Sequence, residues 1–404
     1  ADICLWEGTF CKYRTQNENG KAADNTRAQK FLQECVIACE ALMAKNYKLR
    51  EDYQSIYNSV DLSKDTEIIF YKPYSKDAFM HSTIDYTVNT SGTHGMSKDA
   101  FDSYLFLDGK PLATTEENTN DAATLVNGEY SLANVLAVRD KRLAATIDPV
   151  LAFRGHAYSR AGVAPFTAST GYGVAKFDNT SLDLYNRNQI GTAYTDAPIY
   201  WLSIIYLNYA EARAELNSLT QADLDKTINR LRDRVGMKHL SMKVANQNID
   251  PYLDNKATGY IGVTGENKGV ILEIRRERSI ELLQENFRTS DILRWKEGQI
   301  LTQRLLGIYF ESINKEVDLD GDGAPDVCLY EGAKPSNKDG ITYLEVEKDI
   351  ILSDRNHGYI EPHRDTKFSF NEERDYLSPI PSNERTLTGG ALTQNPGWED
   401  GLHF

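Results

Sequence analysis

The chain has 404 residues, of which 41% are hydrophobic and 26% charged, a balance that supplies a large core for a globular protein. A formal net charge of −14 at pH 7 repels phosphate backbones and anionic lipid, whose binding depends on clustered Lys and Arg, so nucleic acid is not expected as a partner. No run of about 18 apolar residues occurs, so no segment reads as a membrane-spanning helix.

The opening residues, ADICLWEGTFCKY, lack the charged and apolar regions of a secretion signal and read as the interior of a helix. The expectation is that the natural sequence extends further in the N-terminal direction and carries any export signal there. From Ala28 the apolar positions Phe31, Leu32, Cys35, Val36, Cys39, Leu42 and Met43 form a one-face helical stripe, which predicts a helix paired with residues Ala1 to about Tyr13. Five cysteines without metal-type spacing argue against a disulfide framework, and Cys35 and Cys39, one turn apart, read as small buried hydrophobes.

DTEIIFY, Asp65 to Tyr71, predicts a short buried strand. The segment from Tyr74 to Ala193 is rich in Ser, Thr, Asn, Gly and aromatics, and long irregular segments of this kind in a compact protein are usually functional. Its first aromatic group comprises Tyr71, Tyr74, Phe79, His81, Tyr86, His94, Phe101 and Tyr104, amid Asn89, Ser91 and Thr93; its second comprises Phe153, His156, Tyr158, Phe166 and Tyr172. Sugars present apolar C–H faces that stack on aromatic rings while their hydroxyls bond to polar side chains. Tyr74, Phe79, His81, Tyr86, His94, Tyr158 and Tyr172 are therefore the candidate ligand residues, against the alternative that each packs in the core.

Helices are predicted from about Tyr200 to Asn217, from Gln221 to Val235, from near Glu266 through Gln284 and, after a break at Asn286, to about Leu306. Trp201 and Trp295 fall on the packing faces of these helices. Recurring helix pairs suggest tetratricopeptide-like stacking, although the chain has no clean sequence period. Beyond Glu311, VCLYEG and ITYLEV are short strand signals. Between Asp318 and Asp326 the sequence DLDGDGAPD places Asp318, Asp320, Asp322, Gly323, Ala324 and Asp326 at positions one, three, five, six, seven and nine of an EF-hand-type loop, where alternating carboxylates and one carbonyl converge on calcium. Position twelve is Leu329 and lacks the bidentate glutamate; the alternative is a solvated Asp/Gly turn. Any calcium here braces a loop rather than touching ligand.

Four segments in order resemble the SusD/RagB family of outer-membrane nutrient-binding lipoproteins. They are DTEIIFY, then APIYWLSIIYLNYAEARAEL with INRLRDRVGM, then ILEIRRERSIELLQENFRTSDILRWKEG from Ile271 to Gly298, and finally YLSPIPSNERTLTGGALTQNPGW. The resemblance implies a mainly α fold, a SusD-like α-α superhelix of tetratricopeptide-like helix pairs with long irregular loops and a few short strands. It implies a single domain lacking its N-terminal part: a helix pair over 1–60, a loop-rich ligand side over 61–195, helix pairs over 196–310 and loops with short strands over 311–404.

The same resemblance implies a surface-exposed lipoprotein of the outer membrane that captures oligosaccharide or polysaccharide and passes it to a SusC-like, TonB-dependent transporter, with no catalytic step; structural calcium, read from the spacing of the Asp318–Asp326 loop, is the one candidate cofactor. Peptide cargo, as in RagB-type relatives, is the alternative within the fold. A glycoside hydrolase is the alternative outside it, with Glu277 and Glu281 as the carboxylate pair such enzymes need. Against that reading, the pair sits among Arg275, Arg276 and Arg278, which depress a carboxylate and spoil a general acid. The spacing of Glu277, Arg278, Glu281, Arg288, Asp291 and Arg294 reads as charge pairing between neighbouring helices.

Overall fold

The computed structural model describes residues 1–14, 25–88, 94–117, 132–153, 168–399 and 401–402. Helices dominate the two ends of the first 300 residues. Helix α1 (Asp2–Lys12) packs on α2 (Asn25–Met43), where Leu32, Cys35, Val36 and Cys39 are all buried as their stripe requires. A single turn, α3 (Ser55–Asn58), leads to strand β1 (Ile68–Lys72), followed by the short helices α4 (Thr83–Val88), α5 (Lys98–Ser103), α6 (Leu132–Ala137), α7 (Lys141–Ala144) and α8 (Leu184–Asn188).

Strand β2 (Ala197–Trp201) then pairs antiparallel with β1, Phe70 opposite Tyr200 and Lys72 opposite Ala197. The helix expected from Tyr200 therefore begins two residues later, as α9 (Leu202–Glu215), with extended Trp201 as its N-cap. The expected second helix is two: α10 (Gln221–Asp225), held by a Thr220/Asp223 capping box, and α11 (Ile228–Val235). Thr227 separates them in a non-helical conformation and turns its hydroxyl back onto the Asp223 carbonyl at 2.6 Å.

The short helix α12 (Met242–Gln247) packs tightly on α13 (Lys268–Glu281) because Gly269 has no side chain; a Cβ there would stand 2.1 Å from the Ala245 carbonyl oxygen. Helix α14 (Arg288–Arg294) stops well before the expected Leu306. Lys296 adopts a left-handed φ of 59°, and only a turn of 3₁₀ helix, Gly298–Thr302, follows. The C-terminal part carries β3 (Tyr309–Phe310), β4 (Glu316–Val317), β5 (Val327–Tyr330), β6 (Thr342–Glu345), β7 (Leu352–Asp354), β8 (His357–Ile360) and the closing helix α15 (Ser382–Leu387). VCLYEG and ITYLEV form the parallel pair β5–β6, Val327 opposite Thr342, with β4 antiparallel on the other side of β5.

The three largest apolar clusters among the described residues hold most of these pieces. One joins α1, α2 and α9; a second joins β2 and α9 to α11 and α13, with Trp201 and Trp295 fully buried in it. In the third, the loop-rich segment supplies Phe101, Tyr104, Phe153 and Tyr172 against Val327, Leu329 and Leu344 of the C-terminal strands. Among the described residues no helix is long and apolar enough to cross a membrane.

The family-signature segment is a buried electrostatic lattice. Glu277, Glu281, Arg275, Arg276 and Arg278 are each at most 3% exposed. Glu281 accepts from Arg142 at 2.9 Å and from Arg234 at 2.6 Å, and Glu277 pairs with Arg142 at 2.7 Å and with Arg232 at 2.9 Å. Arg278 bonds Asp291 at 2.7 Å; Asp291 bonds Arg294, which forks onto Glu211 together with the Trp295 indole N–H. Burial raises the Glu281 carboxyl, yet Arg234 and Arg142 more than offset it and hold the group down at about 2. A carboxylate so held is ionised throughout the physiological range and has no proton to donate, so it cannot serve as the general acid of a glycosidase.

Candidate ligand-binding site

Of the residues expected to contact ligand, Tyr74, Phe79 and His81 are brought together just beyond the β1–β2 ribbon. The Tyr74 and Phe79 rings stack in parallel, with centroids 4.9 Å apart and planes 5° apart, and the His81 ring meets the Tyr74 ring edge-on at 4.6 Å. The local fold explains the clustering. A bridge between Ser75 and Phe79 folds the intervening residues into a tight turn, which returns the Phe79 ring onto Tyr74. The Tyr74 amide is anchored to Asp196 Oδ1 at 2.8 Å, and the other oxygen of the same carboxylate receives the Leu62 amide at 2.9 Å.

His81 is locked rather than free. Its Nδ1 accepts from the Thr83 amide at 3.1 Å, which leaves the proton on Nε2 to donate to the Thr195 carbonyl at 2.9 Å. Burial pushes its pKa down, and nearby Lys72 pushes the same way, so the ring is neutral at pH 7. With both nitrogens used, His81 positions the Tyr74 edge and offers ligand no hydrogen bond. Lys72, absent from the expected set, places its ammonium 4.6 Å from the Phe79 centroid and 5.1 Å from that of Tyr74. Phe79 is 48% exposed, so the stack ends in a solvent-facing aromatic surface beside a cation.

Tyr86 and His94 form a second, separate contact: both are exposed, and their rings meet edge-on at 5.9 Å. Tyr158 lies outside the described residues, as do His156, Phe166, Asn89, Ser91 and Thr93. Tyr172 requires correction. It is 3% exposed and stacked on Phe101 at 4.5 Å, so its aromatic surface is spent in the core and cannot meet a ligand from solvent. Phe101, Tyr104 and Phe153 are buried in the same cluster. Sequence reasoning missed Phe70 and Tyr200, paired across the ribbon and 56% and 38% exposed. Alternation along β1 carried no signal for Phe70, because Ile68, Phe70 and Lys72 share one face at period two; the ribbon's register shifts between Ile68 and Phe70, and Ile68 is buried while Phe70 is exposed.

In the acidic loop, carboxylate oxygens of Asp318, Asp320 and Asp326 lie within 4.8 Å of one another. Asp318 is buried and accepts the Gly321 amide at 2.7 Å and the Gly323 amide at 2.8 Å, while Asp326 accepts the Leu319 amide at 2.7 Å. Burial and the facing carboxylates push the Asp320 pKa up. Asp322 is not part of the three-carboxylate group; one of its oxygens receives the Ala324 amide at 2.7 Å.

A helical frame with short strands, a buried Glu/Arg lattice on the signature helix and an aromatic platform on a projecting ribbon define a class. The chain belongs to the SusD family, whose sequence profile matches residues 39–398. Among solved structures, a SusD-like carbohydrate binding protein from Bacteroides fragilis has a similar fold, with a TM-score of 0.57 at 19% identity over 96% of this chain and 62% of that one. A second SusD-like protein from Bacteroides fragilis gives a TM-score of 0.54 at 19% identity over 96% of this chain and 68% of that one. The chain thus spans less than two thirds of the length of the first of these relatives. No curated protein is significantly similar in sequence.

Proposed function

We propose that this chain captures a glycan at the cell surface by stacking and hydrogen bonding, without a covalent step, and passes it to a SusC-like, TonB-dependent outer-membrane transporter. The observation that carries the reading is the solvent-facing Tyr74/Phe79 stack flanked by Lys72. A flat aromatic face suits the apolar C–H side of a pyranose ring, and a flexible ammonium suits its hydroxyls. Membership of the SusD family supports tetratricopeptide-type helix pairing, anchoring as an outer-membrane lipoprotein and partnership with the transporter. Calcium in the loop of Asp318, Asp320 and Asp326 belongs to the same reading as a brace for the strands β4 and β5 that flank it.

Isothermal titration of the protein against plant, host and microbial polysaccharides tests the proposal. Saturable heat with one glycan class, weakened about tenfold or more in Phe79→Ala, supports it. Unchanged affinity for every binding glycan in both Phe79→Ala and Tyr74→Ala would remove the platform from the site. Reducing-end release by the purified protein would overturn the absence of a covalent step.

A further inference from the structure

His81 ties together the two exposed aromatic contacts of the loop-rich segment. Its ring edge supports Tyr74, on which Phe79 stacks, and its Nδ1 accepts the amide of Thr83, the first residue of α4 and so of the helix that presents Tyr86. The backbone closes the same corner, His81 and Ala193 exchanging both amide–carbonyl bonds at 2.8 and 3.1 Å. One imidazole therefore fastens both the platform and the start of α4.

The fastening works in a single protonation state. The Thr83 amide can only donate, so Nδ1 must keep its lone pair. The proton then sits on Nε2, which lies 2.9 Å from the Thr195 carbonyl and 3.2 Å from the Thr195 hydroxyl. An imidazolium donates from both nitrogens, and its Nδ1–H would point at the N–H of Thr83. Such a ring must swing off the amide and take its edge away from Tyr74. Burial and Lys72, at the end of β1, both oppose the second proton while the corner is closed. Of the other charged groups around the corner, Lys76 pairs with Asp183 at 2.9 Å, Asp77 lies beside Lys76, and the Asp196 carboxylate is taken by the Tyr74 and Leu62 amides. Tyr74 and Tyr194 add only phenols.

We propose that His81 is a positioning residue operated by protons: neutral, it latches the platform and α4, and protonated, it releases both, so that glycan capture weakens in acid. The latch does not depend on what the platform binds; its consequence for capture rests on the glycan reading. Linkage fixes the direction. In the open segment the imidazole has its ordinary 6.5 and in the closed one a lower value, so the latch is at full strength above about 6.5 and weakens as pH falls below it. Opening then rises by at most about tenfold for each pH unit.

Hydrogen exchange over residues 74–88, followed by mass spectrometry on the whole chain and corrected for the intrinsic pH dependence of exchange, measures this opening. Between about pH 7.5 and about pH 5, protection in wild type should fall by about threefold or more. His81→Asn keeps an acceptor for the Thr83 amide and cannot take a proton, so its protection should not follow the wild-type fall. His94, whose ring meets Tyr86, is retained in that variant, so any loss it causes appears in both proteins. Lys72→Gln removes one of the two forces opposing the proton and should shrink the wild-type loss.

Equal protection at the two pH values in wild type, or the same loss in His81→Asn, overturns the latch. If His81→Asn opens the segment already at neutral pH, Lys72→Gln decides: a smaller loss supports the latch and an undiminished one overturns it. Calorimetry with each polysaccharide that binds at about pH 7.5 reads the consequence. Affinity follows the closed fraction, so it should be weaker at about pH 5 in wild type and equal at both pH values in His81→Asn. Unchanged wild-type affinity overturns the coupling to capture. Absence of any binding polysaccharide counts against the glycan reading alone, because exchange still judges the latch.

Discussion

Replacing Glu281 by Gln tests the view that the signature helix is an electrostatic keystone. The side chain is fully buried and bridges Arg142 and Arg234. Arg142 would keep Asp140 at 2.6 Å and Glu277 at 2.7 Å. Among the described residues Arg234 would keep only the Glu67 carboxylate, at 3.7 Å, so the loss concentrates on a guanidinium that is 2% exposed. Removing one partner of a buried ion pair costs roughly 3–5 kcal/mol, because the other charge is stranded away from water. The amide retains the shape and one acceptor oxygen, which places the expected cost near the lower end, about 3 kcal/mol. Guanidinium unfolding followed by the fluorescence of buried Trp201 and Trp295 measures it, with Arg234→Met and the double variant completing a cycle.

The double variant should cost less than the sum of the singles by about 1–3 kcal/mol. The pH dependence gives an independent reading. The folded carboxyl, at about 2, lies below its ordinary 4.5, so its contribution is fully present above the unfolded value and is lost as pH falls through the folded one. Wild type should therefore lose more stability than Glu281→Gln between about pH 4.5 and pH 2. A cost below about 1 kcal/mol, or strict additivity with Arg234→Met, would refute the reasoning.

Glu67, the other carboxylate facing Arg234, should behave in the opposite sense. Burial drives its pKa up to about 7, against the lowering by Arg234, Ser203 and the Arg50 amide. The native state then holds the proton that the unfolded chain releases, so stability falls as pH rises from about 4.5 to 7, and Glu67→Gln should flatten that slope in urea midpoints measured across the window. Tyr172→Ala should destabilise by about 3–5 kcal/mol, the range for emptying a buried aromatic site, whereas Phe79→Ala should stay within about 0.5 kcal/mol of wild type while losing glycan affinity. If calcium occupies the acidic loop, millimolar calcium should raise the melting temperature relative to chelator, and Asp318→Asn should abolish the difference; equal melting curves in wild type would leave the loop as a hydrogen-bonded turn.

Much of the frame is legible from periodicity, because burial on one face of a helix forces an apolar stripe. Leu32, Cys35, Val36 and Cys39 all lie where the stripe places them. Boundaries were less legible, for identifiable reasons. The Gln221–Val235 stripe is continuous in sequence, yet the Thr227 hydroxyl competes for the backbone and divides the helix. The segment after Asn286 keeps helical composition, yet Lys296 turns left-handed and the Glu297 carboxylate leaves the helix to accept the Gly262 amide at 2.8 Å. Neither event has a periodic signature.

The site was legible as a region more than as a set of residues. Tyr172, between Gly171 and Gly173, and Phe79, between Ala78 and Met80, are both aromatics in loop-rich sequence, and neither setting carries a periodic signal of burial. What separates them is tertiary: Tyr172 packs with Phe101 in the core shared with the C-terminal strands, while Phe79 is returned by a five-residue turn onto Tyr74 at the end of a two-stranded ribbon. The partners that make Phe79 a platform are Lys72 beneath it, at the end of β1, and Asp196 fixing Tyr74, just before β2, and the two strands meet only by long-range pairing. A buried ring is selected by the core around it, and an exposed stacked ring by the backbone that holds it out. In the second case alone does its face remain available to a ligand, which is why the ribbon, more than the count of aromatics, marks where binding should be sought.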